Sequence, residues 1–103
     1  MVTLHHFTNP RWLEQRGGWL HPDTPQHFAR FVARAVAALG DLCQLWCTIN
    51  EPMVYTTQSY LLGVWPPGAK DIRSAFRVAI ALLHGHVAAA EAIHQADSRA
   101  QVG

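Results

Sequence analysis

Charge is scarce in this chain. Only 15% of its 103 residues are Asp, Glu, Lys or Arg, the formal net charge is +1, and Lys70 is the only lysine. Without a Lys/Arg stripe the chain has no electrostatic footprint for nucleic acid. Sulfur is scarce too: the two cysteines are Cys43 and Cys47. On one extended strand, residues four apart are separated by about 13 Å, since each residue rises about 3.3 Å. A disulfide needs Cα atoms within about 7 Å. The spacing therefore predicts free thiols and a reducing, cytoplasmic setting. No apolar run approaches the roughly 18 residues of a membrane span, so no membrane partner is expected. No charged segment leading into an apolar stretch marks a signal peptide at the start.

What is present suits a packed interior. Half of the residues are hydrophobic, too many for a disordered segment, and the length allows one small domain. Met1 to Phe7 reads as a strand, with Val2, Thr3 and Phe7 as β-formers, ended by Asn9-Pro10. A loop containing Gly17-Gly18 follows. Thr24 and Pro25 suit the N-cap and first position of a helix. Phe28, Phe31, Val32, Ala35, Val36 and Leu39 then repeat at helical period, with Gly40 as the C′ residue. Leu42 to Ile49 is near-continuously apolar, as in a strand buried on both faces.

Met53 to Leu62 can form a short helix, and Gly63 to Gly68 is a loop. A long helix is expected from Arg73 to Gln95, capped by Asp71 or Ser74, with Phe76, Ile80, Leu83, Val87 and Ala90 on its buried side. Val102-Gly103 begins a third strand. Strand, helix, strand, helix, strand-start is the order of an α/β fold with parallel strands and right-handed crossovers. Two strands and two helices leave both sheet edges and much helix surface uncovered. Residues 1–103 are thus expected to be one partial domain, cut at both ends from a larger barrel, with Met1 an internal residue.

Glu51 is the residue with the clearest chemical promise. It is placed at the end of the second strand, and Pro52 biases the residue before it toward extended backbone. In barrels of parallel strands this end forms the active-site face. The plain alternative is a Glu that caps a short helix starting at Pro52.

The surrounding residues narrow the choice. Thr3-Leu4-His5-His6-Phe7, then Pro10, Leu13 and Gly17-Gly18-Trp19, then Trp46-Cys47-Thr48-Ile49-Asn50-Glu51-Pro52, follow one another in order. Gly63-Val64-Trp65-Pro66-Pro67-Gly68 and Leu82-Leu83-His84-Gly85-His86 come after. Together they resemble glycoside hydrolase family 1, the β-glucosidase family, over essentially the whole chain. The resemblance implies a fragment of a (β/α)8 TIM barrel: strands three and four, their helices and the start of strand five. It implies a retaining β-glycosidase that hydrolyses terminal β-linked sugars by double displacement, with no cofactor and no metal.

By the same resemblance Glu51 is the acid/base, Asn50 contacts the sugar 2-hydroxyl, and His6 contacts the 3-hydroxyl. Phe7 stands where the family usually has Trp, which removes an indole N–H donor. A retaining enzyme also needs a nucleophilic carboxylate about 5–5.5 Å from the acid. The family's Ile-Thr-Glu-Asn-Gly-like run is absent, so the isolated chain is expected to be inactive. The acid's pKa must be raised by burial and by that second carboxylate.

Blander roles stand beside these. One of His5 and His6 faces the sugar, here taken as His6, and the alternative makes His6 a core histidine. Trp65 lines the site entrance or wedges its own loop. Trp46 packs in the core, and Trp12 and Trp19 anchor the first loop. Arg11, Arg16, Arg30 and Arg34 are solvated charges. His84 and His86 do not share a helix face and His94 is remote, which disfavours a metal module. The rival to an enzyme is a non-catalytic truncated product or subdomain with at most weak carbohydrate binding.

Overall fold

The computed structural model describes residues 1–103. Strand β1 (Val2–His5) leads into helix α1 (Arg11–Gln15), a 3-10 turn (Gly18–Leu20) and helix α2 (Thr24–Leu39). Strand β2 (Leu45–Ile49) leads into helix α3 (Pro52–Thr56), which continues as a π-helical turn (Thr57–Leu61), and then into helix α4 (Ile72–Ala96). Strand β3 (Gln101–Val102) completes a three-stranded parallel sheet of order β1-β2-β3. The expected α/β succession and the third strand are therefore present. Helices α2 and α4 pack on one another, and α4 packs on β2. Trp19, Val32, Trp46, Val78, Leu82 and Ile93 are buried between these layers.

Local chemistry corrects several boundaries. Residues 42–44 form a turn and a short coil rather than strand, and Leu42 is exposed. Thr24 is not the helix cap. Asp23 holds that position without a side-chain cap bond, and the Thr24 hydroxyl instead donates to the Gly18 carbonyl at 2.6 Å. That bond ties the Gly-Gly-Trp turn to α2. Gly40 is not a left-handed C′ residue, since its φ is −59°. Cβ on Gly40 would lie 2.7 Å from the Val36 carbonyl oxygen, so the glycine provides room rather than handedness. Asp71 caps α4, accepting from the N–H groups of Arg73 and Ser74.

The largest correction concerns α4. Of the expected buried stripe, Phe76, Ile80, Leu83 and Val87 are each more than half exposed, and Ala90 is half-buried. The buried stripe is Ala75, Val78, Leu82, Gly85, Ala89 and Ile93. Small residues decide it. Cβ on Gly85 would come 2.7 Å from the Trp19 ring, so glycine there is what lets the indole lie against the helix. Similarly, Phe31 and Leu39 of the expected α2 face are exposed, while Phe28, Val32 and Val36 are buried. Helix α4 is long and apolar enough by length and composition alone to cross a membrane. One of its faces packs on α2 and β2.

Candidate active site

Parallel pairing brings two loops to one end of the sheet. His5 of β1 is the register partner of Ile49 in β2, and the Asn50 N–H donates to the His5 carbonyl at 2.9 Å. The residues that follow, His6-Phe7 and Asn50-Glu51, therefore emerge side by side at the C-terminal strand ends, where parallel-strand barrels carry their chemistry.

Glu51 lies beyond the strand rather than within it. Its backbone is left-handed, with φ 43° and ψ 60°, where extended geometry was expected from the following proline. Its carbonyl accepts from the N–H groups of Val54 and Tyr55, so the backbone starts α3. The side chain makes no cap bond and is exposed. Hence the capping alternative holds for the backbone alone, and the carboxylate is free.

His6 is exposed, and its ring meets the Phe7 ring edge-on at 4.6 Å. Phe7 in turn lies 5.0 Å from the Trp65 ring. Trp65 is held by its loop: its N–H donates to the Gln58 carbonyl, and its own carbonyl accepts from Gly68 N–H. Gly63 and Gly68 take the positive φ values this loop requires, and the Pro66-Pro67 bond is cis. Thus His6, Phe7 and Trp65 form one aromatic group, half a chain apart in sequence. Asn50 is half-buried at the same sheet end.

The core histidine is His5, not His6. Its ring makes edge contacts with Trp19, Phe28 and Tyr55. Burial pushes its pKa below the ordinary histidine value, against the opposing effect of its bond to Asn9. That bond belongs to a cluster that motif matching did not reveal. The Asn9 amide nitrogen donates to Glu14 and to the Tyr55 hydroxyl, while its carbonyl oxygen faces His5 Nε2 and the Trp19 indole N–H. Burial holds the Tyr55 phenol well above its usual value, reinforced by Tyr60 and Glu14. Burial likewise raises Tyr60. The only sequence signal was position: Tyr55 follows Glu51 by one helical turn.

Both cysteines are free. No three His, Cys, Asp or Glu side chains converge in a way that could hold a metal ion. A groove of about 360 Å³ beside β1, lined in part by His5, Trp12, Phe28 and Phe31, includes none of the sequence-predicted site residues.

The family comparison covers every residue. The model for glycosyl hydrolase family 1 matches residues 1–103. The chain belongs to that family. It is 34% identical over 102 residues to beta-glucosidase A of Acetivibrio thermocellus, covering 99% of this chain and 23% of that protein. It is 41% identical over 68 residues to the human cytosolic beta-glucosidase, 66% of this chain and 14% of that one. The family 1 beta-glucosidase of Thermotoga maritima superposes with a TM-score of 0.97 at 32% identity, covering all of this chain and 23% of that structure. Such structural relatives are (β/α)8 barrel enzymes. The chain spans about 23% of the length of the beta-glucosidases that match it end to end.

Proposed function

We propose that this chain is part of a retaining β-glycosidase, in which Glu51 is the general acid/base. The observation that carries the assignment is the free carboxylate of Glu51, in a strained backbone at the C-terminal end of a parallel strand, inside a family 1 sequence. In this reading β1 and β2 are barrel strands three and four, and β3 begins strand five. Residues 1–103 are one partial barrel domain, truncated at both ends. The substrate is a terminal β-linked sugar. His6 and Asn50 bind it, Phe7 and Trp65 line its surroundings, and the nucleophile comes from outside these residues. No cofactor or metal is needed. A cytoplasmic location is supported by the free thiols and by similarity to the human cytosolic beta-glucosidase.

The mechanism follows from carboxylate chemistry. In the first step the nucleophile attacks the anomeric carbon while protonated Glu51 gives its proton to the departing oxygen. In the second, Glu51 takes a proton from a water whose oxygen attacks the anomeric carbon, breaking the glycosyl–enzyme bond and releasing the nucleophile as a carboxylate. Closing the barrel around Glu51 would desolvate it and bring the second carboxylate near, and both effects favour the protonated form. The exposed carboxylate supports the companion statement that the 103-residue chain alone is inactive, as the truncated-subdomain alternative also holds.

The test is leaving-group dependence. With residues 1–103 replacing the matching segment of the Thermotoga maritima enzyme, Glu51→Gln is expected to slow turnover of poor leaving groups by about 10²–10⁴-fold. Substrates whose leaving group needs no protonation should lose far less in the first step. Unchanged turnover of both would overturn the assignment.

A further inference from the structure

Asn9 is half-buried in the loop that carries His6 and Phe7, and its carboxamide has no spare capacity. A primary amide offers two N–H donors and two oxygen lone pairs. Here the nitrogen serves Glu14 and the Tyr55 hydroxyl, the latter at 2.9 Å. The oxygen serves the Trp19 indole at 3.2 Å and His5 Nε2 at 3.1 Å. Two of these partners fix which way the amide points. An ionised carboxylate only accepts, and an indole N–H only donates. The Trp19 indole nitrogen also lies 3.4 Å from His5 Nε2, and His5 Nδ1 is left buried with no partner.

The four partners lie on four different elements: β1, α1, the 3-10 turn and α3. One of them leads to the candidate acid. Tyr55 donates its backbone N–H to the Glu51 carbonyl, and its side chain receives Asn9. Thus a single side chain joins the loop after β1 to the helix that begins at Glu51. Both loops need such a tie, because each contains a residue in left-handed backbone that local sterics disfavour.

We propose that Asn9 is a positioning residue, whose carboxamide ties the His6-Phe7 loop to the Glu51 helix through Tyr55 and keeps the two strand ends in fixed relation. Its catalytic consequence rests on the acid/base assignment of Glu51, while its structural consequence does not.

The experiment separates the two. A nitroxide is attached at exposed position 53 after Met53→Cys, with Cys43 and Cys47 replaced by alanine. Its paramagnetic relaxation effect is read at the backbone amides of His6 and Phe7. Asn9→Leu and Tyr55→Phe are each expected to change those effects, and Asn9→Leu should add little in the Tyr55→Phe background. Val32→Ala, which loosens the core away from this cluster, serves as the control for lost stability. Tyr55→Phe removes only a hydroxyl, so it reports even if Asn9→Leu fails to fold. Unchanged relaxation in Tyr55→Phe, or an equal change in Val32→Ala, overturns the proposal. In the grafted barrel, Asn9→Leu is expected to lower kcat about tenfold with KM within about twofold. Full activity of Glu51→Gln in that barrel would remove the catalytic consequence and leave the relaxation result standing.

Discussion

Phe7 and Glu51 each follow a paired strand end by two residues, and both adopt left-handed backbone. Those strand ends, His5 and Ile49, are register partners. Their φ values are 68° and 43°, and no other non-glycine residue has a positive φ. Such conformations cost about 1–3 kcal/mol each and persist where surrounding structure enforces them. Two such residues, just past the ends of adjacent strands, locate the strained end of the sheet at the candidate site.

The strain at Glu51 predicts an order of stabilities. Its side chain makes no hydrogen bond, so substitution loses little contact. Glu51→Gly and Glu51→Asn should be at least as stable as the parent, since both residues accept left-handed backbone. Glu51→Val should lose about 1 kcal/mol, because a β-branched side chain fits there worst. For a chain of this size that is a fall in Tm of about 4–8 °C. Thermal unfolding of the three variants measures it, and a Val variant as stable as Asn would contradict the strain.

Adjacent leucines of α4 should respond oppositely. Leu82 is 1% exposed and Leu83 is 60% exposed. Leu82→Ala should cost about 2–5 kcal/mol through lost burial and a cavity. Leu83→Ala should stay within about 0.5 kcal/mol, as for a surface change. Urea unfolding of both variants compares them directly. Equal losses would mean that the Leu83 stripe is covered in solution.

Gly85 presents a contest between propensity and space. Alanine is favoured over glycine in a helix by about 1 kcal/mol. Yet the new Cβ would meet Trp19 ring carbons at 2.7 and 2.8 Å. Trp19 cannot easily yield, being buried with its indole N–H facing Asn9. Overpacking of this kind costs about 1–3 kcal/mol. Gly85→Ala should therefore be destabilised on balance, with Trp19 fluorescence altered in the folded state. A rise in Tm would show that the indole has room to move.

The same contest explains what was legible from residues alone. The strand–helix succession, both long helices and a cap at Asp71 or Ser74 followed from periodicity and turn residues. The buried face of α4 did not. Hydrophobicity pointed to the bulky stripe from Phe76 to Val87, whereas close approach to Trp19 and α2 selected the stripe of small residues. The backbone at Glu51 was missed for a related reason. Pro52 biases its predecessor toward extended geometry, but the start of α3 overrides that local preference. Asn9 offered no pattern at all, because its partners are assembled only when β1, α1 and α3 come together.

His5 gives the fold a pH dependence of definite sign. Its folded pKa is depressed by burial, so the folded state resists protonation while the unfolded state protonates near 6.5. Between the folded value and about 6.5 the unfolded chain binds more protons, and stability must rise with pH. The stability is complete above that window and is lost as pH falls through it. Asp71 and Asp97, also depressed, act at lower pH, through and below the ordinary carboxylate range. Urea unfolding at pH 7.5 and 5.5 should therefore show a lower midpoint at pH 5.5. His5→Phe should be less stable at pH 7.5, having lost its bond to Asn9, but should depend less on pH across this interval. An undiminished slope in His5→Phe would assign the effect to another histidine.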